Sequence, residues 1–250
     1  LSKKGKVVVL IDEYDKPIID FLTEKKKANE NREILKNFYS AIKPMDEFLQ
    51  FVLLTGVSKF SKVSIFSDLN NLNDITLSQN FSTIAGYTDE ELTIFFGSYL
   101  EESAKVLGDS QENVKKRIKE WYNGYSWDGI RYVYNPFSIL KFFFEKEFRN
   151  YWFETGTPTF LVEFIRNHCL PVKDLENYQL AQAVFDSFSI DDIDIYNLLF
   201  QTGYLTIKNY DRKQMRYTLS YPNKEVKIAF MQSLHEGFSF KKYSESGKII

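Results

Sequence analysis

The stretch KVVVLIDEYD at residues 6–15 has five consecutive apolar residues and then stops at two adjacent acids, Asp12 and Glu13, with a third acid at Asp15. A short unbroken run of Val, Leu and Ile is typical of a strand that is buried on both faces of a parallel sheet. Ligands of such sheets lie outside the carboxyl ends of the strands. The pattern therefore predicts a strand over 6–11 whose end is well placed to hold a cation.

A second apolar run, FLQFVLLTG at 48–56, predicts another buried strand. Between the two runs, apolar residues recur at helical spacing over 29–48, and we expect Pro44 to bend or end that helix. Strand, helix and strand in this order favour a parallel pair joined by a right-handed crossover. Residues 57–78 are rich in Ser, Asn and Asp and have little periodicity, which is typical of a long loop retained for function.

From residue 86 the pattern changes to amphipathic helices. Thr88 and Glu91 have the spacing of a capping box. Three further helix starts are marked by a polar cap or by a proline in the first turn: Ser110, Pro136 and Pro158. The region 86–172 is therefore predicted to be a helical subdomain.

The last part of the chain has the order helix, helix, hairpin, helix. The predicted segments are helices over 178–186 and 192–201, strands over 204–210 and 215–221, and a closing helix over 223–238. This order resembles a winged helix. We therefore predict an α/β chain in three parts, over 1–85, 86–172 and 173–250.

Composition limits the class of protein but does not identify it. The chain is 44% hydrophobic and 26% charged, as expected of a globular protein, and its net charge of −2 gives no argument for nucleic acid or for an anionic membrane. No apolar run approaches the roughly 18 residues that a membrane span needs. The single cysteine, Cys169, excludes an internal disulfide and fits a reducing cytosol. We expect a cytoplasmic protein without a membrane partner.

The strand that ends in Asp12 and Glu13 has the form of a Walker B element. In such a site the Asp contacts Mg²⁺, often through water, and the Glu polarises the water that attacks the γ-phosphate. The other interpretation is a core strand that ends in acids by chance. After the second strand, Thr55, Ser58 or Lys59 would stand where P-loop NTPases have their sensor residues, unless this is an ordinary glycine turn with a solvated lysine.

Two further clusters also have two interpretations. The hairpin carries four cations that would contact phosphates if this part binds nucleic acid, although charged hairpin tips are common: Lys208, Arg212, Lys213 and Arg216. The aromatic segments WYNGYSW and YVYNPF would either cover a base or close the helical core, and we favour the core. Zinc-type ligand spacing is absent, and His168 and Cys169 are interpreted as structural.

Several segments, taken in order, resemble the predicted AAA-ATPase-like family of bacterial P-loop proteins, which is related to STAND and archaeal-type ATPases. They are VVVLIDEYDKPI, FVLLTGVSKFSKVSIFSDLNNLNDITL, WYNGYSWDG, VYNPFSIL, YWFETGTPTFLV, GYLTI and YTLSYPN. The resemblance covers nearly the whole chain. It implies a P-loop core, a helical region and a winged-helix-like tail, and full-length members commonly carry a nuclease-like domain of the PD-(D/E)XK kind.

The resemblance also assigns roles to residues. It implies that Asp12 binds Mg²⁺ through water and so holds the cofactor MgATP, and that Glu13 is the catalytic acid. Ser58 and Lys59 would lie at the sensor position, Ser58 binding the nucleotide and Lys59 acting in catalysis, with Lys62 as a neighbour. The parent protein would bind and hydrolyse MgATP as a regulatory switch.

One departure from the family pattern is the phosphate-binding loop. No G-x-x-x-x-G-K-[ST] occurs in the 250 residues, and the sequence begins at Leu1 rather than Met. We therefore expect a fragment that lacks Walker A and does not hydrolyse ATP alone. The first hypothesis is part of an ATP-hydrolysing switch, such as a regulator of an attached nuclease-like domain. The alternative is a non-catalytic winged-helix module that binds protein or nucleic acid.

Overall fold

The computed structural model describes residues 5–22, 24–57, 65, 72–152, 175–185 and 194–238. They form a mixture of helices and small parallel and antiparallel sheets, so the predicted α/β class is confirmed at that level. The chain divides into two compact units, Leu1–Asp74 with Ala181–Thr202 and Ile75–Leu180 with Gly203–Ile250. The division into three parts stays a prediction.

The described helices and strands follow the chain in this order. The helices are α1 (Lys16–Ile19), α2 (Lys25–Ser40), α3 (Asp89–Leu107), α4 (Gln111–Tyr122), α5 (Pro136–Glu145), α6 (Gln182–Phe185), α7 (Ile195–Gln201) and α8 (Lys224–Phe238). The strands are β1 (Val7–Ile11), β2 (Leu49–Leu54), β3 (Asn123–Tyr125), β4 (Val133–Tyr134), β5 (Tyr178–Ala181), β6 (Thr206–Asp211) and β7 (Arg216–Ser220). Among these residues, no helix is both long and apolar enough to cross a membrane.

In the first unit, β1 and β2 pair in parallel, as the sequence predicts. The short helix α1 and the longer helix α2 lie between them in the chain; α2 ends at Ser40 and is followed by a 3₁₀ helix over Lys43–Phe48. Pro44 lies at the start of this 3₁₀ helix, where its missing N–H costs little. The expectation that Pro44 ends or bends the predicted helix is confirmed.

The prediction that the first strand is buried on both faces is wrong for the structure described. Val8 pairs with Phe51 and Leu10 with Leu53, so these four side chains share one face of the sheet. Val8, Leu10 and Phe51 are 53%, 68% and 54% exposed, whereas the alternate residues of both strands are only half-buried. The first unit therefore presents an apolar sheet face to solvent.

In the second unit, α3, α4 and α5 enclose an aromatic core that includes Phe96, Tyr122 and Phe142. The predicted capping box is confirmed, because the Thr88 N–H donates to Glu91 Oε2 at 2.9 Å and the Glu91 N–H donates to Thr88 Oγ1 at 3.2 Å. The starts predicted at Ser110 and Pro136 are confirmed as the cap of α4 and the first residue of α5. The helix predicted from Pro158 and the pair His168 and Cys169 lie outside the described residues.

The predicted hairpin is confirmed as β6 and β7, and the closing helix as α8. The helix predicted over 178–186 is wrong in its first half, because β5 joins β7 at the edge of a three-stranded sheet and only α6 is helical. Leu180 is buried while Gln179 and Ala181 are exposed. This alternation has the period of a strand.

The aromatic segment WYNGYSW closes the core together with YVYNPF, as favoured from the sequence, since Tyr122 of the first segment and Tyr134 of the second are fully buried. The segment also forms β3, which pairs with β4. Ser126 joins it to β6, because the Ser126 N–H donates to Thr206 Oγ1 at 2.7 Å and the Thr206 hydroxyl donates back to the Ser126 carbonyl at 3.1 Å. These contacts explain why the aromatic residues stand where the helices meet the hairpin.

Candidate functional site

The segments that follow β1 and β2 lie side by side at the same edge of the parallel sheet. The Thr55 N–H donates to the Ile11 carbonyl at 2.9 Å, and the Tyr14 N–H donates to the Thr55 carbonyl at 3.0 Å. The ladder of backbone hydrogen bonds therefore continues past the last residues of both strands. It fixes the position of the acids after β1 relative to Thr55 after β2.

Asp12 receives two hydrogen bonds on one carboxylate oxygen. The Thr55 hydroxyl and the Glu13 N–H both donate to Asp12 Oδ1, the second at 3.0 Å. The residue is exposed, and within the part of the chain that the structure describes no donor reaches its Oδ2. Two donors on Oδ1 orient the carboxylate and leave Oδ2 as a candidate ligand for a cation or its water shell.

Glu13 has an unusual backbone conformation for a residue with a side chain. Its φ is 51°, in the left-handed region, which costs roughly 1 kcal/mol for a non-glycine residue. The side chain is exposed, and it has no hydrogen bond or ion pair to any residue that the structure describes. The turn that imposes this conformation is closed by the Lys16 N–H, which donates to the Glu13 carbonyl at 3.1 Å. The Glu13 carboxylate is thus adjacent to Asp12 and accessible to water.

Asp15, the third acid, is fully buried. Its Oδ1 accepts a hydrogen bond from the Val57 N–H at 3.1 Å. Gly56 permits this approach, because a Cβ there would lie 2.5 Å from Asp15 Oδ1 and 2.6 Å from the Tyr14 ring. Sequence reasoning gave Asp15 no role, since the bond joins residues 42 positions apart and no local pattern indicates it.

The acids at this edge are few for a metal ion held by protein ligands. In the part of the chain that is described, no group of three or more His, Cys, Asp or Glu could hold a metal ion. Mg²⁺ commonly uses one or two carboxylates together with phosphate oxygens and waters. Asp12 with Glu13 beside it provides that number of carboxylates.

The structure therefore brings together three of the residues singled out in the sequence, namely Asp12, Glu13 and Thr55. Ser58, Lys59 and Lys62 lie outside the described residues, and their assigned roles stay predictions. Thr55 was one of three alternatives for the residue near the phosphates. The Thr55 hydroxyl donates a hydrogen bond to Asp12, and the choice among the three alternatives stays a prediction.

The hairpin cations do not all face solvent. The Lys208 ammonium donates to the Pro222 carbonyl at 3.1 Å, and burial lowers the pKa of Lys208. Lys208 thus serves the fold, whereas Arg212, Lys213 and Arg216 are exposed near the tip. The basic character of the hairpin surface is weaker than the sequence indicates.

A second notable carboxylate lies in the other unit and was missed in the sequence. Glu225, in the first turn of α8, is fully buried. It accepts hydrogen bonds from the Ser138 hydroxyl at 2.8 Å and from the Trp152 N–H at 2.9 Å. Burial raises the pKa of Glu225 to about 7, against the opposing effect of these donors. Its contacts join α5 and α8, so we interpret it as a structural acid.

Comparison with known proteins supports the family resemblance for the part of the chain that carries the site. The model of a family described as "Predicted AAA-ATPase" matches residues 1–66, which include β1, β2 and the Asp12 site. A protein of Azotobacter chroococcum mcd 1, named only as an uncharacterized protein in the vnfD 5' region, is 46% identical over 231 residues. That alignment covers 92% of this chain and 43% of the relative, so the chain spans less than half of that protein's length. No solved structure matches.

Proposed function

We propose that Asp12, Glu13 and Thr55 form the magnesium side of an ATPase site, and that the protein to which this chain belongs binds and hydrolyses MgATP as a regulatory switch. The observation that carries the proposal is the hydrogen bond from the Thr55 hydroxyl to Asp12 Oδ1. It joins the ends of two adjacent parallel strands, where α/β proteins bind their ligands. The match of residues 1–66 to the "Predicted AAA-ATPase" family supports it.

In this proposal each of the three residues has a separate task. Asp12, held by Thr55, would hold the hydrated Mg²⁺ through its carboxylate. When bound, Mg²⁺ neutralises charge on the β- and γ-phosphates. Glu13 orients the attacking water in line with the bond to be broken and accepts its proton. Ser58 and Lys59 follow Thr55 within four residues and would contact the γ-phosphate.

The phosphate-binding loop is supplied, in this proposal, by a segment outside the 250 residues. The exposed apolar face of β1 and β2 supports this, because parallel sheets are normally covered on both faces. Among the residues that the structure describes, this sheet has two parallel strands, which is few for such a sheet. Further strands and helices of a P-loop core would cover Val8, Leu10, Phe51 and Leu53.

The rest of the chain would transmit the nucleotide state to a partner. The three-stranded sheet with α8 is the winged-helix-like part of this proposal, and a nuclease-like domain in the same protein is the proposed recipient. For the alternative of a non-catalytic module that binds nucleic acid, the inward-facing Lys208 removes one of four candidate cations. We therefore propose the switch and not the module.

The test is the release of phosphate from ATP by the full-length protein, with Mg²⁺ and with chelator. Glu13→Gln should keep nucleotide binding and lower turnover by roughly 10²–10⁴-fold, the usual range for a lost general base. Asp20→Asn, an exposed acid on the same segment, is the matched control and should hydrolyse ATP at the wild-type rate. Wild-type turnover in Glu13→Gln would contradict the role of Glu13.

A further inference from the structure

The buried carboxylate of Asp15 lies three residues after Asp12 and is committed to the loop that carries Thr55. Its Oδ1 accepts the Val57 N–H at 3.1 Å, and Gly56 passes so close to it that no side chain fits between them. Asp15 is the N-cap residue of α1, yet its side chain makes no capping hydrogen bond to that helix. A buried polar group is costly unless it is hydrogen-bonded. The Asp15 side chain accepts a hydrogen bond from the Val57 N–H in the loop after β2 and does not cap its own helix, and this arrangement calls for an explanation.

We infer that Asp15 is a positioning residue, which holds the Thr55–Val57 loop against the end of β1 so that the Thr55 hydroxyl stays on Asp12. The expected effect of Asp15 on ATP hydrolysis rests on the proposed function. The expected effect of Asp15 on the position of the loop does not.

Three contacts connect Asp15 to the site acid. From Val57 the chain runs through Gly56 to Thr55, whose carbonyl accepts the Tyr14 N–H at 3.0 Å and whose hydroxyl donates to Asp12. These hydrogen bonds and the backbone between them connect Asp15 with the segments that follow both strands. The bond from Val57 thus holds the loop at its far end, beyond the contacts that Thr55 makes with Ile11, Tyr14 and Asp12.

The segment after β1, which carries Asp15, also contacts α2. The Tyr39 hydroxyl donates to the Tyr14 carbonyl at 3.4 Å, and the Tyr14 and Tyr39 rings pack edge to face with centroids 6.4 Å apart. Burial, and next the nearby charge of Asp15, raise the pKa of Tyr39. The segment after β1 is therefore anchored on α2, which leaves the loop after β2 as the part that Asp15 has to hold.

The first arm of the test uses amide hydrogen exchange, resolved to single residues, on the full-length protein without nucleotide. Asp15→Ala should raise the exchange rates of both Val57 and Tyr14, because the Tyr14 amide reports the position of Thr55. We expect an increase of roughly tenfold at each, the equilibrium effect of losing about 1.4 kcal/mol of local stability. Asp15→Asn keeps an acceptor oxygen and should stay within about threefold of wild type, as should the control Asp20→Asn.

Gly56→Ala approaches the same contact from the loop side, since its Cβ would displace the Asp15 carboxylate. It should raise exchange at the same two amides. It keeps the inference testable if Asp15→Ala does not fold. An increase confined to Val57, with Tyr14 unchanged, would show that Asp15 binds its own amide without positioning Thr55, and would overturn the inference.

The second arm measures ATP hydrolysis by the same proteins. Asp15→Ala should lower kcat by roughly tenfold and leave KM within about threefold, because the loop orients the site without contacting the nucleotide. Asp15→Asn should recover most of the lost kcat. Raised exchange with unchanged kcat would overturn the positioning role in catalysis. A wild-type protein that neither binds nor hydrolyses MgATP would contradict the proposed function, and the exchange arm alone would then decide whether Asp15 positions Thr55.

Discussion

The Thr55 hydroxyl donates a hydrogen bond to Asp12 Oδ1 and so joins the ends of two parallel strands. A hydroxyl that orients a charged carboxylate contributes roughly 1.5–3 kcal/mol. This contact, together with the backbone ladder beside it, is the reason for placing a site at this edge of the sheet.

The first prediction concerns that hydroxyl. Thr55→Val keeps the shape of the side chain and removes the donor, so Asp12 loses its orientation. We expect turnover of MgATP to fall by about 10–100-fold, the rate equivalent of the lost hydrogen bond. Thr55→Ser keeps the donor and should remain within about threefold of wild type. Equal losses in both variants would show that the methyl group, and not the hydrogen bond, matters.

The second prediction concerns the pH dependence of stability. The pKa of Glu225 is about 7 in the folded protein against 4.5 for an ordinary Glu, because the side chain is buried. The folded state therefore binds this proton more tightly than the unfolded state does. The stabilising contribution is complete below about pH 4.5, declines as pH rises and is lost above about pH 7.

Replacement by an isosteric neutral residue removes this contribution. We compare the free energy of unfolding of the wild type with that of Glu225→Gln. The wild-type value minus the variant value should fall by about 3 kcal/mol as pH rises from 4.5 to 7.5. Urea unfolding of both proteins across that range measures the difference, in which the titration of all other groups cancels. A difference that does not change with pH would contradict the raised pKa.

The third prediction compares two glycines in the second unit. Gly124 has φ +124°, and a Cβ there would lie 2.0 Å from the Pro222 carbonyl oxygen, so Gly124→Ala should destabilise the protein by about 3 kcal/mol. Gly97 lies within α3 with nothing near its Cβ position, so Gly97→Ala should stabilise it by roughly 0.5–1 kcal/mol. Equilibrium urea unfolding checks both. Shifts of the same sign would contradict the local structure around Gly124.

Features that depend on neighbouring residues could be predicted from the sequence. The capping box of Thr88 and Glu91, the proline at the start of α5 and the apolar runs of β1 and β2 are all short-range signals. The parallel pairing followed from the helix between the strands. These features place the carboxyl ends of the two strands at one edge of the sheet, and therefore place Asp12 and Glu13 at that edge.

Features that depend on a distant partner could not be predicted. β5 is a strand because β7 lies beside it, and a four-residue segment carries no such information. The Lys208 ammonium donates a hydrogen bond to the Pro222 carbonyl, and the Asp15 carboxylate accepts one from the Val57 N–H. Both partners are distant in the sequence, so no local pattern shows that these two side chains turn inward. The exposed face of the sheet differs from the expectation for a similar reason, since only a covering element decides whether an apolar strand is buried.

The measurement that tests the central claim most directly is calorimetric binding of MgATP to the full-length protein, to Asp12→Ala and to the control Asp20→Ala. We predict that the wild type and Asp20→Ala bind ATP more tightly with Mg²⁺ than with chelator, and that Asp12→Ala loses this dependence. Binding by Asp12→Ala that is as tight and as dependent on Mg²⁺ as that of the wild type, or no binding by the wild type, would contradict the assignment of Asp12 to a magnesium–nucleotide site.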